Sequence, residues 1–191
     1  IFKGLLPILA CIALLFIASL PFTGLQPLWE TQSAATVLVG LVALLIVFLN
    51  AVYQDGSNHS PYPLWLRRVV DAEILSLPLY AVLALYAIWL RVDQYGWTSD
   101  RFWAALLAAA AAVYAFGYAG TVRLQKHTWL PRLPTVNKGL SLTVLVLIVC
   151  ANTPMLDPYR ISVNSQLDRL ADGEITTEKL FTISYLRFHE G

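Results

Sequence analysis

The sequence predicts an all-α fold: a polytopic transmembrane bundle of five spans followed by a short amphipathic extracytoplasmic tail. Three observations carry this. First, 58% of the 191 residues are hydrophobic and only 13% are charged, where a soluble domain carries about 25% charged residues. Second, the charged residues stand apart and leave five long apolar runs. Third, every tryptophan falls at the edge of such a run or in a loop.

The runs are measured by their flanking charges. No Asp, Glu, Lys or Arg occurs in the 26 residues between Lys3 and Glu30, the 24 between Glu30 and Asp55, or the 17 between Glu73 and Arg91. The same holds for the 21 residues between Arg101 and Arg123 and the 18 between Lys138 and Asp157. A helix needs about 20 apolar residues, and at least roughly 17, to cross a hydrocarbon core about 30 Å thick. The expected spans are 4–22, 34–53, 74–92, 102–120 and 139–155, within a transmembrane region 1–156. The third is the shortest and contains Pro78; a broken or re-entrant helix is its alternative. Lys3 and the apolar start suggest a signal peptide, but the apolar run continues to Leu28 and four more follow. The start at Ile1 and the end at Gly191, inside a continuing pattern, read as truncation at both ends.

Trp29, Trp65, Trp89, Trp97, Trp103 and Trp129 all avoid the span centres. Indole rings favour the headgroup level, where one edge is wet and the body is apolar. Orientation follows from basic residues. Lys3, Arg67, Arg68, Arg123, Lys126, Arg132 and Lys138 fall on one side, and Arg91 and Arg101 on the other. By the positive-inside rule the first side is cytoplasmic, which places the tail 157–191 outside.

Within the loop Gln54–Glu73, Asp55-Gly56-Ser57-Asn58 is a turn cluster, and His59 is a solvated neighbour. Tyr62 to Asp71 reads as a short interfacial helix along the inner headgroups, with Arg67 and Asp71 spaced to pair. Arg67, Arg68, Asp71 and Glu73 form a candidate inner-interface cluster; anchoring and topology signalling is the plainer reading. The fourth span carries Ala104, Ala105 and the run Ala108–Ala112, with Gly117 and Gly120 beyond. Small residues at this spacing allow close helix approach, so this span is expected among neighbours. Tyr114 and Tyr118 share one face, suited to a cavity wall or to interhelical hydrogen bonds.

No ionisable side chain lies at a predicted span centre, which argues against an ion-coupled pathway in these helices. Ser19, Thr36, Asn50, Ser76, Ser141, Thr143 and Asn152 are mostly near span ends. Cys11 and Cys150 lie in apolar runs with no metal or redox spacing and read as packing residues. No phosphate loop, HExxH, GxSxG or internal repeat is present. A net charge of +1 gives no bulk attraction to nucleic acid.

In the tail, Asp157 followed by Pro158 is a helix start, and Gly173 a stop. Tyr159, Val163, Leu167, Leu170 and Ala171 share one face; Arg160, Asn164, Asp168 and Arg169 occupy the other. A second pattern, Thr176–Phe188, is either helix or extended. Asp157, Tyr159, Arg160, His189 and Glu190 are the tail residues open to a catalytic role, but no nucleophile–base spacing joins them.

Three elements carry a family resemblance. Tyr95-Gly96-Trp97-Thr98-Ser99-Asp100-Arg101 resembles a recurrent Tyr-Gly-x-Thr-x-x-Arg element. Leu156 to Val163, with Ser165-Gln166, Arg169-Leu170 and Asp172-Gly173, resembles a second, and Tyr185-Leu186-Arg187-Phe188 a third. Together they are similar to bacterial multi-pass membrane proteins grouped as domain of unknown function 4153. Thr182 and Ser184 depart from the acidic residues expected there. The resemblance implies a bacterial inner membrane and further spans upstream, and it transfers no activity, cofactor or catalytic residue.

The functional expectation is a structural or regulatory component of the bacterial envelope, with the bilayer and an envelope protein as partners. A transporter or channel subunit, and a membrane enzyme acting on lipid or cell-wall intermediates, are the alternatives. The two motif-bearing elements, Tyr95–Arg101 and Asp157–Arg169, are expected on the same side. Tyr95, Trp97, Asp100, Arg101, Asp157, Tyr159 and Arg160 thus form a candidate outer-surface cluster, in which either Asp100 and Arg101 meet Arg160 and Asp157, or Asp157 caps its own helix and Arg101 snorkels.

Overall fold

The computed structural model describes residues 2–26, 33–53, 61–124 and 129–173. The expectations for Trp29, for 55–59 and for the pattern 176–190 lie outside these residues. Among the described residues there are six α-helices and no strand. They are α1 (Phe2–Thr23), α2 (Ala34–Tyr53), α3 (Leu64–Tyr95), α4 (Ser99–Arg123), α5 (Leu133–Ala151) and α6 (Pro158–Ala171). The first five are each long and apolar enough to cross a membrane.

The helix α3 corrects one expectation. The short interfacial helix Tyr62–Asp71 and the third span are one continuous element of 32 residues. At 1.5 Å per residue it is about 48 Å long, longer than the hydrocarbon core. Asp71-Ala72-Glu73 is charged but contains no helix breaker, so charge ends the apolar run without ending the helix. Pro78 lies inside α3 and neither breaks it nor makes it re-entrant. A second correction concerns α5, which begins six residues before the expected 139 and stops at Ala151 instead of 155. Pro134 fits its first turn, where no backbone donor is needed. Pro154 holds Thr153 extended (φ −93°, ψ 158°), which ends the helix.

The core runs along α3, where Leu77, Tyr80, Ala81 and Ala84 are fully buried. The helices α1, α2 and α4 pack around it. Phe16 of α1 stacks on Tyr80 (6.3 Å), and Phe2 meets Phe48 of α2 edge-on (5.4 Å). Ala108, Ala112 and Ala115 bury the facing stripe of α4, as its small residues predict. Half of the membrane-crossing window of α3 is buried, against 33% for α4, so α3 is the central helix. Gly117 admits α5: a Cβ there would lie 2.9 Å from Leu140. Gly120 faces open space.

The outward faces are apolar. Ile8, Ile12 and Leu15 of α1, Val37, Leu44 and Val47 of α2, and Leu142, Leu145, Val146 and Val149 of α5 are all exposed. A water-soluble fold rarely exposes continuous apolar surface on this scale; lipid requires it. Cys11 is exposed on the outside of α1, not packed in the core, and Cys150 is half-buried.

Candidate functional site

The residues of the recurrent elements come together at the end of the bundle where α3 turns into α4. A helix leaves its last four carbonyls without intrahelical donors. At the end of α3 these and the next two are all met. Gly96 N–H donates to Val92 O (2.7 Å). Arg169 of α6 donates from Nη1 to Asp93 O (3.2 Å) and from Nη2 to Gln94 O (2.9 Å). Gln166 Nε2 donates to Tyr95 O and Trp97 O, both at 3.0 Å. Arg101 Nη1 donates to Gly96 O (2.7 Å) and Tyr95 O (3.2 Å). In return Trp97 N–H donates to Ser165 Oγ (3.0 Å). The helix α6 therefore caps the C-terminus of α3 from a distance in sequence. Arg101 and Arg169 bring positive charge to the negative end of the α3 dipole.

Gly96 is needed on two counts. Its φ is +71°, and a Cβ would lie 2.7 Å from Gln166 Nε2 and 2.8 Å from Arg169 Cδ. The Thr98 hydroxyl caps α4 by accepting from Arg101 N–H (3.3 Å), and the Arg101 guanidinium sits 5.4 Å over the Tyr95 ring.

The expected outer cluster is thus partly assembled. Tyr95, Trp97 and Arg101 meet at the turn, Trp97 through its backbone. Asp100 is exposed beside them, and Tyr159 and Arg160 are exposed on α6. The expected pairing of Asp100 and Arg101 with Arg160 and Asp157 does not form. Arg101 donates to carbonyls, and Asp157 caps its own helix by accepting from Tyr159 N–H (2.9 Å). The residues that do join the turn to α6 are Gly96, Ser162, Ser165, Gln166 and Arg169. Their signal was the polar set Ser162, Ser165, Gln166 and Arg169 at i, i+3, i+4 and i+7; Ser162 and Gln166, with Pro158, are the buried face of α6. Tyr159 and Leu167, from the apolar face, are about half exposed.

Beside the turn lies a cleft of about 630 Å³ between the start of α2, the end of α3 and the start of α4. Arg91, Arg101 and Asp100 stand in its lining.

At the opposite end the expected inner cluster divides. Arg67 pairs with Asp71 at 3.6 Å, and Trp129 Nε1 donates to Asp71 (2.9 Å). Tyr62 meets Trp129 edge-on, and burial pushes its hydroxyl up to about 12. Arg68 is exposed. Glu73 is elsewhere: only 2% exposed, it faces α1 and α2 beside Leu6, Ala10, Leu45 and Leu49. Neither of its carboxyl oxygens makes a well-formed hydrogen bond to a described residue, and nor does the Tyr80 hydroxyl, although the Ser76 and Tyr80 hydroxyls lie beside the carboxyl. An ionisable group is therefore inside the bundle, where the charge-free intervals suggested none. Nearby, Tyr118 donates to Asn137 and accepts from Asn50 (2.7 Å), and Asn137 donates to Asn50 (2.7 Å). This closed triangle ties α2, α4 and α5. Tyr114 meets Ser141 at 3.1 Å, so the tyrosine face serves interhelical hydrogen bonding. Among the described residues no group of three His, Cys, Asp or Glu side chains is placed to hold a metal.

Five long apolar helices with lipid-compatible outer faces and a polar cap at one end define a polytopic α-helical membrane protein. The chain belongs to the family described as domain of unknown function (DUF4153), which matches residues 5–188. No curated protein and no solved structure matches it.

Proposed function

We propose that this chain is a structural or regulatory component of a bacterial inner membrane that presents α6 to the periplasm. The observation that carries the reading is the way α6 is held. Ser162, Ser165, Gln166 and Arg169 fix one side of it to the α3–α4 turn, and Tyr159 and Leu167 are half exposed on the other. The free side of α6 presents Tyr159 and Leu167 among the exposed Arg160, Asn164 and Asp168, and a mixed face held rigid in this way is suited to hold an envelope protein. The asymmetry of basic loop residues supports the periplasmic side. Affinity purification from native membranes should recover an envelope protein, and Tyr159→Ser with Leu167→Ser should lose it while the chain stays folded. Recovery of no partner, or equal recovery by the double variant, would count against the reading. An alkaline phosphatase fusion after Gly173 should be active; an inactive fusion would reverse the orientation.

A second reading, an ion-coupled transport subunit, is favoured by one observation, the buried Glu73. Ionisable residues inside membrane bundles often mark ion or proton pathways. Proton uptake by proteoliposomes that Glu73→Gln abolishes would support it; no uptake would remove it.

A further inference from the structure

We infer that the cleft beside the α3–α4 turn is a binding site for the phosphate of an anionic phospholipid. Its depth matches that ligand. Its walls reach from the helix ends down to Ala87, eight residues before the end of α3, or about 12 Å. Headgroup and interfacial layers together occupy roughly 5–7 Å on each side of the hydrocarbon core, so the cleft spans the phosphate level and the first part of the acyl chains. Its lining is graded accordingly. Ala87, Ile88 and Ala104 form the deep part, Ala34 and Ala35 open α2 at the rim, and Arg91 and Arg101 stand nearer the helix ends. A volume of about 630 Å³ suits a headgroup with the start of its chains.

The two arginines differ in what they have left to offer. Arg101 uses Nη1 on the carbonyls of Tyr95 and Gly96, and its Nε and Nη2 make no hydrogen bond to a described residue. Arg91 is half-buried and makes no ion pair or hydrogen bond with a described residue. A half-buried guanidinium at the headgroup level without a protein acceptor calls for an anionic one, and arginine pairs with phosphate in a bidentate fork. Asp100 also lines the cleft and opposes the anion. The site is therefore net cationic by one charge, which favours an anionic lipid over a zwitterionic one.

The test uses the purified full chain, titrated in detergent with short-chain phosphatidylglycerol or phosphatidylcholine and read by native mass spectrometry. Phosphatidylglycerol should bind more tightly. A basic residue near a membrane surface contributes about 1 kcal/mol to anionic-lipid attraction, or about fivefold in affinity. Arg91→Gln should thus weaken phosphatidylglycerol about fivefold and leave phosphatidylcholine unchanged. Asp100→Asn should tighten phosphatidylglycerol, a gain that loss of structure does not produce. Arg68→Gln removes the same charge at the other end of α3 and should have no effect. Equal binding of the two lipids, or equal behaviour of Arg91→Gln and Arg68→Gln, overturns the proposal. Glycerol 3-phosphate should not compete at the same concentration. Competition by it would assign the site to a soluble phosphate and overturn the lipid.

Discussion

The two ends of the bundle are held by different chemistry. At the turn end, side chains of α6 and α4 bond to backbone carbonyls of the α3 terminus. At the opposite end, side chains bond to side chains: Asn50 with Tyr118 and Asn137, and Asp71 with Trp129. The first arrangement reads the path of the backbone itself and tolerates little change. The second reads side-chain identity, and its members have alternatives. Asn50, for example, also donates to Ile46 O within its own helix. Substitutions at the turn end should therefore cost more than substitutions of equal size at the other.

The largest effect is expected at Gly96. Gly96→Ala places a Cβ against Gln166 and Arg169 and forces a left-handed φ on alanine. Strain at such a φ costs about 1–3 kcal/mol and overpacking about 1–3 more. Thermal unfolding in detergent should register a loss of about 3 kcal/mol, and limited proteolysis should cut 157–173 first. If Gly96→Ala keeps both stability and protection of α6, the turn end is not the rigid end. Gln166→Ala follows, since it removes two 3.0 Å bonds and leaves Tyr95 O and Trp97 O with only the longer ones from Arg101 (3.2 Å) and Ser162 (3.4 Å), at about 1–3 kcal/mol for the two. Hydrogen exchange should rise in α6 and at Trp97, and not in α1 or α2.

Glu73 sharpens the contrast from the other end, because there the expected sign is reversed. A buried carboxyl without a well-formed hydrogen bond is a cost to the fold, and an apolar replacement of similar shape removes it. Glu73→Leu should raise stability by about 1–2 kcal/mol, as a higher unfolding temperature in detergent. A lower temperature would mean that Glu73 has a partner that stabilises the folded chain.

Much of this was legible beforehand. The residue range of α2 matches its charge-free interval, because Asp and Glu are absent from every turn of it and Tyr53 adjoins a turn cluster. The joining of 62–71 to α3 was not legible from charge, since Asp71 and Glu73 mark the polarity of a helix surface and say nothing of where a helix stops. The docking face of α6 was not legible either. In a membrane protein the apolar face of a helix at the boundary has lipid or a partner to meet, so the polar face is free to turn inward. Ser162, Gln166 and Arg169 lie on that face, and their acceptors are carbonyls, which no pattern of side chains reveals. The Asp157–Arg101 pairing failed for the same reason, because the sequence shows the opposite charges but not the competing backbone.

The smallest effect is expected at Tyr118, and it tests the tolerant end directly. Tyr118 is fully buried, and its hydroxyl both donates to Asn137 and accepts from Asn50. In a soluble core, losing both bonds would leave two buried amides short of partners. Here the amides keep each other, since Asn137 donates to Asn50 without the tyrosine. Interhelical hydrogen bonds in membrane bundles are worth on average about 0.6 kcal/mol, and at most about 1.7. Tyr118→Phe should therefore cost about 1.2 kcal/mol, the average for two such bonds, because the ring still packs and the pair of asparagines still closes. Asn137→Ala in the Tyr118→Phe background should cost more than Tyr118→Phe alone, because Asn50 then loses its last interhelical partner. A Tyr118→Phe loss above about 3.4 kcal/mol would exceed twice the largest single-bond value. It would show that the side-chain end is held as strictly as the backbone end, and the contrast between them would fail.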